Sequence, residues 1–220
     1  MNKVLFDLSA TQSSNGIFNH GGSEYAKAVL IRLVNSPAAR VTVFFNSGST
    51  LDDEIINLIE KHSIEKLEDC NIETLKNYVI ENNINIFYSA LLKDEYKSFL
   101  TMQSSSFRVI LTIHGLRQLE LPSDSYESYY CNTLKSKLKN AYKKLFPSVY
   151  KKSILNYYRQ FLGASEIITV SNHSKGSLQF FFPELDPKRI HVFYSPITDY
   201  KIITDSDSIK KLNLSRRKYF

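Results

Sequence analysis

Asn2-Lys-Val-Leu-Phe-Asp-Leu8 and Asn15-Gly-Ile-Phe-Asn-His-Gly-Gly-Ser-Glu-Tyr-Ala26 stand at the two ends of a short polar stretch, and their succession decides the fold. The first is an apolar run of strand length. The second leads into the pairs Tyr25/Ala26, Val29/Leu30 and Leu33/Val34, which recur at helical spacing. A buried strand, a polar loop and an amphipathic helix in that order form the opening unit of a parallel α/β sheet. Gly21-Gly22 lies where the helix begins. Glycines let a backbone approach a ligand closely, and the first amides of a helix are unpaired donors at the positive end of its dipole. Anionic groups, phosphates above all, suit such a place.

The alternation continues along the chain. Val41-Thr-Val-Phe-Phe45 is rich in β-formers, and Asp52 or Asp53 can cap a helix carrying Ile55, Ile56, Leu58 and Ile59. Ile64 to Leu67 predicts a short third strand, Asn71 to Asn82 a helix, and Ile84-Asn-Ile-Phe-Tyr88 a fourth strand. Phe107-Arg-Val-Ile-Leu-Thr-Ile113 ends in His114-Gly115, and Glu166-Ile-Ile-Thr-Val170 ends in Ser171-Asn-His-Ser174. Between them Leu134, Leu138, Ala141 and Leu145 mark one helix face, Pro147 interrupts, and Ile154, Leu155, Tyr158, Phe161 and Leu162 mark another. Arg189 to Tyr194 reads as a last strand. Strands this apolar, separated by helices, predict a three-layer α/β/α domain with a mainly parallel sheet of about six to seven strands. In such sheets ligands bind at the strands' carboxyl ends. Gly21-Gly22, His114 and Ser171 to Ser174 all fall at such ends, so three distant stretches converge on one crevice.

At 220 residues, with 43% hydrophobic residues, the chain is long enough for a substantial core. No apolar stretch approaches the roughly 20 residues that cross a bilayer. The opening apolar run is interrupted by Asp7 and lacks a small-residue cleavage site, so no cleaved leader is expected. Cys70 and Cys131 are too few for a disulfide framework, which agrees with a cytoplasmic setting. No P-loop, H-E-x-x-H helix, G-x-S-x-G elbow or complete G-x-G-x-x-G fingerprint is present. Asp205-Ser-Asp207 has a metal-binding form but stands in a polar, aperiodic stretch without a rigid strand end to hold it. No metal is expected.

Gly-Gly-Ser-Glu-Tyr-Ala (21–26), Val-Ile-Leu-Thr-Ile-His-Gly-Leu (109–116), Ile-Ile-Thr-Val-Ser-Asn-His-Ser-Lys (167–175) and Asp-Pro-Lys-Arg-Ile-His-Val-Phe-Tyr-Ser-Pro (186–196) together resemble the N-terminal half of family 4 retaining glycosyltransferases. The resemblance implies a Rossmann-like half of a two-domain GT-B fold over residues 1–197, with 198–220 a linker and the start of a C-terminal nucleotide-sugar domain. It implies transfer of a sugar from a nucleotide-sugar donor to a glycan or lipid-linked acceptor with retention, polysaccharide assembly being one setting, and no cofactor. The piece alone is expected to be inactive. His114 takes the place of the strand-end histidine near the transferred sugar. Gly21, Gly22, Ser23 and Glu24 take that of the loop facing the donor phosphates or the acceptor. His20, Gly115, Ser171, Asn172 and Ser174 line the cleft, with Ser171 also the expected cap of the helix after its strand.

The net charge of +6 is local. Between Asp124 and Leu162 stand eight lysines and arginines against Asp124 and Glu127, together with half of the 14 tyrosines. Cations and aromatics beside an apolar helical face suit an anionic membrane surface, which predicts peripheral attachment at the inner face of the cell membrane. The alternative is a noncatalytic Rossmann-like module whose basic face grips nucleic acid or a protein partner. No nucleic-acid motif accompanies the basic residues, so the reading adopted has no nucleic-acid partner.

Overall fold

The computed structural model describes residues 1–12, 21–122 and 133–195. Its elements run β1 (Asn2–Asp7), α1 (Gly21–Val34), β2 (Ala39–Phe45), α2 (Asp53–Lys61), β3 (Glu65–Glu68), α3 (Ile72–Glu81), β4 (Ile86–Ser89), α4 (Lys97–Leu100), β5 (Arg108–Ile113), α5 (Arg117–Glu120), α6 (Leu134–Leu145), α7 (Pro147–Arg159), β6 (Glu166–Thr169), α8 (Asn172–Phe181) and β7 (Ile190–Val192). The strands form one sheet in the order β3-β2-β1-β4-β5-β6-β7, and every pairing is parallel. β1 is an interior strand, with Val4 opposite Val41 on one side and Ile86 on the other. This is the doubly wound, Rossmann-like architecture read from the alternation of strands and helices.

Two cores follow from the two-residue period of the strands. Val4, Phe6, Val43, Ile86 and Tyr88 point to one face, where Tyr25, Ala26 and Leu30 of α1 and Ile55 and Ile59 of α2 cover them. Leu5, Phe44, Phe87, Val109 and Leu111 point to the other, under Leu75 and Val79 of α3, Phe99 of α4 and Leu178 of α8. Phe87 stacks on Phe99 with ring centroids 4.1 Å apart, and Tyr96 meets Phe87 edge-on at 5.1 Å. The turn and short helix over 94–100 escaped the sequence reading because one helical turn carries no measurable period. Two aromatics, Tyr96 and Phe99, nevertheless seal this side of the core, both fully buried.

Helix starts obey local chemistry. Asp52 accepts from the Glu54 amide, Asn71 from that of Thr74, and Ser171 from that of Ser174. Thr133 and Ser136 form a reciprocal capping box at α6, and Pro147 occupies the first turn of α7, so this proline opens a helix as well as ending one. At α6 the apolar face turns outward. Leu134, Leu138 and Leu145 do share a face, but they are exposed by 76%, 63% and 73%, while Asn140 and Lys143 of the same helix are buried. Among the described residues the helix packs chiefly on α7, a helix and not a strand. The part of the 124–162 segment before Thr133, with Asp124, Glu127, Cys131 and three of its tyrosines, lies outside the described residues. So do the linker from 198 and Asp205-Ser-Asp207.

Candidate functional site

The strand order reverses direction between β1 and β4, which is where a doubly wound sheet opens a crevice at its carboxyl edge. The floor of that crevice is a buried acid. Asp7, the last residue of β1, is fully buried, and its carboxylate accepts from the Ser9 amide at 2.8 Å and from the hydroxyls of Ser9, Ser89 and Tyr96, each at 2.7 Å. Ser89 is the last residue of β4, so these bonds join the two strands that flank the reversal. Burial pushes the Tyr96 phenol far above its ordinary range, and the Asp7 charge adds to this, so Tyr96 stays a donor at any physiological pH. The sequence carried one sign of this cluster, an acid inside an apolar run at a strand end. It does not show the three hydroxyls that satisfy it.

His114 stands one residue past β5 and touches three other elements. Its Nε2 donates to the Ala90 carbonyl after β4 at 3.0 Å, so in the neutral ring Nδ1 carries the lone pair. The ring meets that of Tyr25, on the second turn of α1, edge-on at 5.4 Å. Its own carbonyl accepts from the Ser174 hydroxyl at 2.9 Å. Ser174 in turn receives the cap of α8: its amide donates to the Ser171 hydroxyl, and the two hydroxyls lie 3.0 Å apart. Side chains of α1 and α8 thus meet at His114 through Tyr25 and Ser174. Tyr25 was read only as a core position. It is 2% exposed, its hydroxyl has no partner among the described residues, and burial pushes its phenol up to about 12, opposed by the Arg32 charge.

The remaining expected residues divide. Gly21 is exposed at the first position of α1, and a Cβ there would meet nothing within 4 Å; Gly22 is half-buried beside it. Packing does not demand glycine at 21. A Cβ on the exposed Gly115 would lie 3.9 Å from the Ser174 hydroxyl, an ordinary contact. Ser23 is 1% exposed. Glu24 turns to the α2 side and pairs at 2.8 Å with Lys27, which also reaches Asp52 at 3.2 Å. Burial pulls the Lys27 ammonium down, but the bonds from Glu24 and Asp52 outweigh it and hold the group above its ordinary value. Asn172 is exposed and donates to the Tyr194 hydroxyl at 2.9 Å. His20 lies outside the described residues.

A second feature of this edge went unread. A pocket of about 310 Å³ opens beside Asp7, lined by Ser9, Gln12, Asn46, Asp69 and Lys93 among others. Its walls are braced: Gln12 donates to the carbonyls of Asn46 and Ser49, and the Ser47 hydroxyl and amide donate to Asp69. Polar groups on a rigid frame suit a hydroxylated ligand. A larger cleft of about 800 Å³ lies at the opposite, amino edge of the sheet around Asn85, Ser104 and Arg108. Among the described residues no three metal-ligating side chains converge.

No protein-family model matches the sequence, and no curated protein is similar to it at a significant level. Among solved structures, a glycosyltransferase from Rickettsia africae ESF-5 is similar at 14% identity and a TM-score of 0.44, over 98% of this chain and 50% of that one. The chain thus spans half the length of that protein. The class that fold and site define here is a doubly wound α/β domain with a polar crevice at its strand reversal.

Proposed function

We propose that this chain is the acceptor-binding half of a retaining glycosyltransferase that moves a sugar from a nucleotide-sugar donor to a glycan or lipid-linked acceptor. The observation that carries the reading is the meeting of His114 with the second turn of α1, through Tyr25, and with the first turn of α8, through Ser174, beside the sheet's strand reversal. It supports the ordered motifs at 21–26, 109–116 and 167–175 as parts of one site.

In this reading the backbone amides at Gly21-Gly22 face the donor phosphates, whose charge suits the positive end of α1. The His114 ring, held in one orientation by Ala90 and Tyr25, lies against the transferred sugar. The braced pocket beside Asp7 takes acceptor hydroxyls. Substitution at the anomeric carbon proceeds on the face the diphosphate leaves, and the departing phosphate oxygen takes the acceptor's proton. The donor is held largely by a second domain, so turnover belongs to a protein carrying both halves, and this half alone binds the donor weakly.

The test is turnover in the full-length protein with a panel of nucleotide sugars. His114→Ala should lower kcat about a hundredfold, the scale of one lost polar contact to developing charge, while Gly21→Ala, which meets no neighbour, should weaken donor binding and leave the melting temperature unchanged. Unaltered turnover in His114→Ala sinks the assignment.

A further inference from the structure

The outward-facing stripe of α6 has no counterpart elsewhere in the described chain. Leu134, Leu138, Tyr142 and Leu145 follow one another at spacings of three and four, so they form one continuous strip along the helix. Phe146 and Val149 carry it through the turn into α7, exposed by 52% and 55%, and the Phe146 ring packs on Tyr142 with centroids 5.4 Å apart. Lys135, Lys137, Lys139 and Lys144 stand exposed on either side. The polar Asn140 and Lys143 face inward instead, the Lys143 ammonium 4.9 Å over the Tyr150 ring. From Leu134 to Arg159 there are eight lysines and arginines and no aspartate or glutamate.

Leaving such a strip in water costs the hydrophobic stabilisation it would gain by burial, and monomeric proteins rarely expose contiguous apolar patches of this kind without a partner. The charge decides which partner. Two copies of this surface would bring like charges together. A nucleic acid would engage the lysines and leave the leucines uncovered. An anionic bilayer satisfies both, taking aliphatic side chains below the headgroups while the lysines reach back to the phosphates. We infer that α6 and the start of α7 dock this domain in the plane of an anionic lipid surface, with Leu134, Leu138, Leu145, Phe146 and Val149 as the inserted residues. No helix among the described residues is long and apolar enough to cross a membrane, so the contact is one of lying on the surface. The inference stands apart from the transfer reading: it concerns binding alone, and its failure would leave the crevice untouched.

The experiment sediments the 220-residue chain with vesicles of equimolar phosphatidylglycerol and phosphatidylcholine, and with vesicles of phosphatidylcholine alone. The anionic vesicles should retain the chain about tenfold better or more, given about fivefold per cation near such a surface. Leu138→Asp with Leu145→Asp should abolish retention with the far-ultraviolet spectrum and melting temperature unchanged, since both positions are already in water. Lys135→Ala, Lys139→Ala and Lys144→Ala together should remove the preference for anionic lipid. Three results would overturn the inference: equal recovery with both vesicles, retention unchanged by the leucine substitutions, or a solution dimer that Leu138→Asp disperses. Tight oligonucleotide binding that survives Leu138→Asp would do the same in favour of nucleic acid.

Discussion

In α2 the residues Ile55 and Ile59 are buried against the sheet, with Asp53, Glu54, Asn57 and Glu60 outward beside the exposed edge of Ile56, whereas in α6 Leu134, Leu138 and Leu145 lie in water and Asn140 and Lys143 face the protein. Both helices carry an apolar strip at helical spacing. What separates them is what each lies upon. α2 bridges β2 and β3, and two short connections pin its strip onto Val41 and Val43. α6 follows no strand directly and rests on another helix, so the sheet places no demand on its orientation. A periodic pattern defines a strip and leaves its direction open.

Truncation should break the comparison most sharply. Ile55→Ala opens a cavity in a fully buried site and should cost about 3 kcal/mol, read by denaturant unfolding. Leu138→Ala removes a side chain of equal size and should cost less than about 0.5 kcal/mol. Equal losses would mean that the α6 strip is covered in solution. A buried polar group gives the next largest effect. Asp7→Asn keeps the shape but replaces an acceptor of four hydrogen bonds by an amide with two donors, and should cost about 2 kcal/mol.

Caps sharpen the same contrast with a smaller effect. Ser171→Ala removes the cap of a helix packed on the sheet and should lower global stability by about 1 kcal/mol. Thr133→Ala removes an equivalent cap from α6. There hydrogen exchange should quicken within the helix while the global melting temperature holds, because a helix resting on one neighbour can open alone. The smallest effect lies at α5. The Ser177 hydroxyl donates to Glu120 and, with His173 at 3.1 Å, holds its carboxyl below the usual carboxylate range. A carboxyl depressed in the folded state stabilises above its unfolded pKa and loses that contribution as pH falls through the folded value. The melting-temperature difference between wild type and Glu120→Gln should therefore be present at neutral pH and fade below about pH 4. A difference that persisted in acid would place the effect in packing.

The site was legible in the sequence to the extent that it sits at strand ends. His114, Gly21-Gly22 and Ser171 stood out because each closes an apolar run or opens a helical one, and a parallel sheet brings all such ends to one edge. Asp7 and Tyr25 did not stand out, since their importance lies in contacts with residues far along the chain: Ser89 and Tyr96 for the first, His114 for the second. Glu24 follows Gly21-Gly22 closely in sequence. Its charge is taken up by Lys27, which sits one turn on along α1 and is itself pulled toward Asp52 at the start of α2.

The sequence by itself determined the succession of strands and helices, the parallel sheet and the edge at which the strand-end residues gather, because periodicity and capping are local and a parallel sheet follows from the alternation of strands and helices. Only the tertiary structure decided which way each helical strip faces and which hydroxyls complete the buried acid at the strand reversal. Those outcomes depend on which surface lies beneath a helix and which side chains meet across 80 or so residues of chain, and no local pattern encodes either.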